Sequence, residues 1–145
     1  MIEITVNGAT ELVADLRQFP DKIQSAVILK LSQVAYDEAQ RGAGKHVVTG
    51  ALFQSLYNRS VSGGRQVGHD PKRAPHAGFV QYGTRPHKIT PKNKQALRWP
   101  GQGGFIFAKS VNHPGYKGDA YMIRARDAAL LRFNSILDES LRDAI

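Results

Sequence analysis

From Met122 onward, apolar residues return every three or four positions: Met122, Ala125, Ala129, Leu130, Phe133, Ile136, Leu137 and Leu141. That is the period of one helix face, so the end of the chain is expected to form a helix that buries this stripe. A second stripe of Ile23, Val27, Leu31, Val34 and Ala35, widened by Ile28, follows Pro20 and Asp21, residues suited to a helix start. This helix should stop near Gly42. Upstream, Ile2, Ile4 and Val6 alternate with polar residues as in a short strand ended by Asn7-Gly8. Thr10 is placed to cap a helix bearing Leu12, Leu16 and Phe19.

The pattern changes between the two long stripes. Val48-Thr49-Gly50 reads as a turn or cap, with Leu52 and Leu56 on one face of a short helical turn. Residues 57–69 form two alternating runs around Gly63-Gly64, and residues 96–111 two apolar runs around a glycine-rich turn. Both read as hairpins, the second with Leu97, Trp99, Phe105 and Phe107 as candidate core residues. The pattern leaves FVQYGT, residues 79–84, open between a short helix and an extended piece. Residues 70–78 and 84–94 are basic, proline-punctuated loops. The expected fold is a single α+β domain over 1–145, with N- and C-terminal helices packed on a mainly antiparallel sheet built from the two hairpins.

Hydrophobic residues make up 41% and charged residues 22% of the chain, the balance of a globular protein. The start, MIEITVNG, lacks the basic and apolar regions of a signal peptide, and no apolar run reaches membrane-span length, so a cytosolic, membrane-free protein is expected. With no cysteine, disulfides, thiolate metal sites and cysteine nucleophiles are excluded.

The net charge of +8 is unevenly spread. Residues 41–126 carry fifteen Lys/Arg against only Asp70 and Asp119, whereas residues 1–40 carry three against six acidic and residues 127–145 two against four. A basic middle lies between acidic ends. It reads either as a solvated surface or as one facing a polyanion or an acidic neighbour.

Little in the sequence assembles into reactive chemistry. His46, His69, His76, His87 and His113 are scattered, without the short-range spacing of zinc ligands. Asn112-His113 faintly resembles a nuclease histidine, but the basic segment offers two carboxylates 49 positions apart to hold a metal. There is no GxSxG motif around Ser55, Ser60, Ser62 or Ser110, and no phosphate-binding GxxxxGK[ST] loop. GQGG at 101–104 is better explained as a hairpin turn. Lys72, Arg73, Arg85, Lys88, Lys92 and Lys94 occupy loops from which they can contact phosphates without reading a sequence.

Three ordered blocks carry a family resemblance. Val48 through Leu56 is similar to a TGxLxxS block, with Thr49, Gly50, Leu52 and Ser55 in register. Ala77 through Thr84, containing Tyr82, Gly83 and Thr84, resembles a YAxxVExGT block. His113-Pro114-Gly115 through Met122 resembles an HPGxKxxPFL block leading into the last helix. Together they resemble the neck and tail-completion (head-tail joining) proteins of tailed bacteriophages, of the lambda minor tail protein Z type. The sequence departs from that pattern at Gln81, where Glu is usual, and at Ala120-Tyr121, where Pro-Phe is common.

The resemblance implies a structural virion protein, not an enzyme, that needs no cofactor or metal. It would act in tail completion and head-tail joining as a homo-oligomeric ring, hexameric by resemblance, around the DNA channel. Implied partners are other copies of the chain, connector, tail terminator or tail tube proteins and the phage DNA backbone. The location would be the virion neck or tail top, after assembly in the host cytoplasm. Alternatives are a basic, non-sequence-specific nucleic-acid-binding module and a metal-dependent nuclease using His113. Within SVNHPGYKGDAYM, residues 110–122, Pro114 and Gly115 suit a turn and Asp119 suits a cap for the helix starting near Ala120. Tyr121 and Met122 would anchor that helix to the sheet, making the stretch a structural junction.

Overall fold

The computed structural model describes residues 15–145. The strand expected at Ile2, Ile4 and Val6, the Thr10 cap and Leu12 lie outside the described residues. The elements in chain order are α1 (Asp21–Gly44), α2 (Ala51–Gln54), β1 (Leu56–Val61), β2 (Gly64–His69), α3 (Ala77–Tyr82), β3 (His87–Ile89), β4 (Leu97–Gly101), β5 (Gly104–Ala108), β6 (Val111–His113), α4 (Tyr121–Leu131) and α5 (Phe133–Asp143). The fold is α+β, with helices on either side of antiparallel strand pairs.

Pro20 stands immediately before α1, and its carbonyl accepts from Ile23 N (2.9 Å) and Gln24 N (3.0 Å). Two apolar clusters lie along this helix. Near its start, Val27 is fully buried with Leu16, Phe133 and Ile136, and Phe19, Ile23, Ile28, Leu31 and Val34 pack around them. Near its end, Ala39 and Ala43 meet Leu52, Leu56, Tyr121, Met122 and Ala125. Small residues at the second contact let α4 lie close to α1. Lys30 ties α1 to α5 through Glu139 (3.0 Å) and Asp143 (2.9 Å), and Asp143 leads in raising its pKa.

The expected single C-terminal helix is two helices. At the junction Arg132 N bonds Ala129 O at 3.1 Å, a three-residue step that tightens the turn, and α5 resumes at Phe133 without shifting the apolar stripe. The helix expected to stop near Gly42 runs on to Gly44. FVQYGT resolves in favour of a helix: α3 ends at Gly83, whose φ of 79° suits glycine.

Both expected hairpins form, β1–β2 around Gly63 and β4–β5 around Gly103. They do not join each other. Among the described residues the strands make three separate two-stranded ladders, the third pairing β3 with β6 across the second hairpin. Two of the candidate core residues are therefore misplaced: Phe105 is 56% and Phe107 65% exposed, while Leu97 and Trp99 are half-buried. Strand alternation identifies which residues share a face, but among the described residues no layer covers this face of the ribbon, which leaves it in solvent.

Candidate functional site: a junction and cleft at the start of α4

Tyr121 opens α4, and residues from all three sequence blocks meet around it. In the first block, Gly50 takes φ 79° before α2, Thr49 Oγ1 accepts weakly from Ala51 N (3.4 Å) and Leu52 is buried. Ser55, 2% exposed, donates its hydroxyl proton to Leu52 O at 2.7 Å. It must therefore accept from Nδ1–H of His69, 2.7 Å away, which leaves His69 Nε2 to accept from the Tyr121 hydroxyl at 2.5 Å. This tautomer follows from the hydrogen-bond chain. Burial lowers the His69 pKa to about 4, keeping the ring neutral, and burial first and the nearby Asp119 charge second push the Tyr121 phenol up.

The second block supplies the cap of α4. Gln81 is 4% exposed, and its Oε1 accepts from Met122 N at 3.1 Å. The expected cap, Asp119, does not act as one: no side-chain cap bond is made at Ala120. Asp119 instead bonds His46 Nε2 at 2.8 Å and pairs with Arg124. The hydrogen bond to His46 leads in lowering the Asp119 pKa, Arg124 adds to it and burial opposes it. A distant residue can take the capping role because the α3 end lies directly against the segment entering α4, where Asp119 N donates to Val80 O at 2.7 Å. Tyr121 and Met122 anchor α4 as expected, but against α1, α2 and β1 rather than a continuous sheet.

The second and third blocks interlock through backbone. Thr84 N donates to Tyr116 O at 2.7 Å and Tyr116 N to Thr84 O at 2.9 Å. Gly83 and Gly115 both have positive φ, and a Cβ on Gly83 would fall 2.1 Å from Tyr116 O and one on Gly115 2.6 Å from Thr84 O. His113 Nδ1 accepts from Gly115 N at 3.0 Å, bracing the turn around exposed Pro114, and its ring stacks on His87 at 5.0 Å. His113 thus holds the junction. Tyr82 is 59% exposed, and Thr84 Oγ1 is buried without a partner among the described residues.

Beside this junction opens a cleft of about 780 Å³ between the β1–β2 hairpin, the 70–75 turn, α3 and the start of α4. Arg59, Lys72 and Arg73 line it against one carboxylate, Asp70, whose Oδ1 accepts from Lys72 N at 2.9 Å. Arg59 lies 4.4 Å from the Tyr57 ring centre and also bonds Gln66. Of the six basic loop residues, only Lys72 and Arg73 line the cleft; Arg85, Lys88, Lys92 and Lys94 are exposed on β3 and its flanking loops. None of the six makes an ion pair among the described residues.

Among the described residues no three His, Asp or Glu side chains converge as metal ligands, and no helix is long and apolar enough to cross a membrane. Ser55 directs its proton at a carbonyl from a buried position, so the Ser55–His69–Tyr121 chain braces the fold. The sequence pattern did not point to His69, to the cap by Gln81, or to Gly42, where a Cβ would fall 2.4 Å from the Cβ of Tyr121. Its one usable signal was the Gln81 departure, since Gln keeps the acceptor that Glu would provide. Comparisons with protein-family models, curated proteins and solved structures find no match to this chain.

Proposed function

We propose that this protein is a structural component of a tailed-bacteriophage virion, acting in tail completion and head-tail joining as a homo-oligomeric ring around the DNA channel. The observation that carries the reading is the convergence of all three resembling blocks on the start of α4. Most of their characteristic residues are used as turns, buried contacts and hydrogen bonds of one junction. That use suits a family defined by shape and assembly.

Exposed apolar side chains offer surface for neighbours. Val48 is 94% and Phe79 62% exposed, amounts of apolar area that a ring of heterologous contacts would cover. The partners in this reading are further copies of the chain and a connector, tail terminator or tail tube protein, with the basic loops turned to DNA.

The test is electron microscopy of lysates from the encoding phage with an early stop codon in this gene. Filled heads beside separate or malformed tails are expected. Complete, normally joined virions would overturn the reading.

A further inference from the structure

The β4–β5 ribbon has two unlike faces. Its register pairs Leu97 with Ala108 and Trp99 with Ile106 on one side, and Arg98 with Phe107 and Pro100 with Phe105 on the other. On the first face Leu97, Trp99 and Ala108 are half-buried and Ile106 is exposed, whereas all four residues of the second face are exposed. On that face Phe105 and Phe107 stand two positions apart on one strand, roughly 6.8 Å. The Arg98 guanidinium sits 4.2 Å from the Phe105 ring centre, setting a cation beside the two rings.

The charges that flank the ribbon in the chain select the occupant. Exposed Lys92 and Lys94 precede β4 and exposed Lys109 follows β5, within a stretch from Pro71 to Gly118 that carries nine Lys/Arg and no carboxylate. Lysine is depleted at protein interfaces, whereas lysines without carboxylates beside them in the chain complement a row of phosphates. A duplex would meet the lysines but keep its bases stacked away from the rings. A single strand offers both phosphates and free base faces, and paired aromatics flanked by basic residues are what such strands stack on.

We propose that the Arg98–Phe105–Phe107 face of this ribbon is a stacking platform for single-stranded nucleic acid. This goes beyond the neck reading and stands or falls separately from it, because the measurement uses purified protein and needs no assembled virion.

The test is fluorescence anisotropy with a labelled 20-nucleotide single strand and a blunt duplex of the same sequence, with the full chain, at two salt concentrations. The single strand is expected to bind at least about tenfold more tightly. Phe105→Ala with Phe107→Ala should remove that preference and leave duplex binding unchanged. Lys92→Gln with Lys94→Gln should weaken both ligands alike. Since both Phe side chains are exposed, unchanged circular dichroism and melting are expected of the double variant. Equal binding of strand and duplex, or a preference that survives loss of both rings, would overturn the proposal. So would a Phe double variant that loses self-association or binding to anionic vesicles while the wild type binds no single strand, since the face would then belong to a protein or lipid contact.

Discussion

A Cβ placed on Gly42 falls 2.4 Å from the Cβ of Tyr121, so α1 and α4 cross at a point with no room for a methyl group. Glycine inside a helix normally weakens it by about 1 kcal/mol relative to alanine. Here the crossing reverses the sign. Gly42→Ala should destabilise the protein by about 1–3 kcal/mol through overpacking, read as a lower midpoint in urea. A raised midpoint would mean that the two helices are not held this closely.

Gln81 gives the junction a second test, because its cap can be removed without changing its volume. Gln81→Met leaves Met122 N without an acceptor at a buried helix start and should cost about 1–2 kcal/mol. Gln81→Glu keeps the acceptor, and the positive end of α4 offsets part of the cost of burying its charge, so it should lose less stability than Gln81→Met at neutral pH. Equal losses in both variants would show that the bond to Met122 contributes nothing.

Gly83 and Gly118 approach each other so closely that a Cβ on either meets backbone: Tyr116 O at 2.1 Å from Gly83, Gly83 N at 2.5 Å from Gly118. Backbone cannot move aside as a flexible side chain can, and both residues have positive φ. Alanine at either position should therefore be more damaging than Gly63→Ala, where φ is also 79° but no atom of the described residues lies within 4 Å of the added Cβ. Melting temperatures of the three variants give the comparison directly. Similar losses at all three would mean that φ alone decides.

The helices were legible because periodicity records burial on one face, as Val27, Phe133 and Ile136 illustrate. The hairpins were legible because glycine marks their turns. What periodicity cannot supply is the layer opposite a face. Phe105 and Phe107 have the alternation of core residues, yet they face solvent. The cap at α4 was hidden for another reason: Gln81 and Met122 are 41 positions apart, while local rules favoured adjacent Asp119. His69 carried no local motif at all. Its role exists only because the β1–β2 hairpin folds back onto Ser55 and Tyr121.

Lys88, Lys92 and Lys94 are exposed and make no ion pair among the described residues, so their charges are free to act outward. Replacing all three by Gln should leave the melting temperature nearly unchanged. It should lower the salt slope of duplex DNA binding by up to about 2.7, the change for three lost phosphate contacts. An unchanged slope, together with intact virion assembly and DNA retention, would count against their facing DNA.

The half-buried His69 predicts how stability changes with pH. Its ordinary value is 6.5 and burial lowers it to about 4 in the folded protein. Between those values the unfolded chain binds a proton that the folded chain refuses, so stability falls as pH drops from about 6.5 to about 4 and this contribution levels off below. Solvent screening at the cleft keeps the loss to about 1–2 kcal/mol. Asp119 acts lower down: its folded pKa is depressed below 3.8, so its stabilisation is present above that value and disappears as pH falls through the folded value. Urea midpoints measured from pH 8 to pH 3 should show the His69 decline first. His69→Gln, which keeps a donor and an acceptor without titrating, should flatten the upper window and leave the Asp119 window in place. If the upper decline survives in His69→Gln, another group carries it and the neutral Ser55–His69–Tyr121 chain is not what protonation breaks.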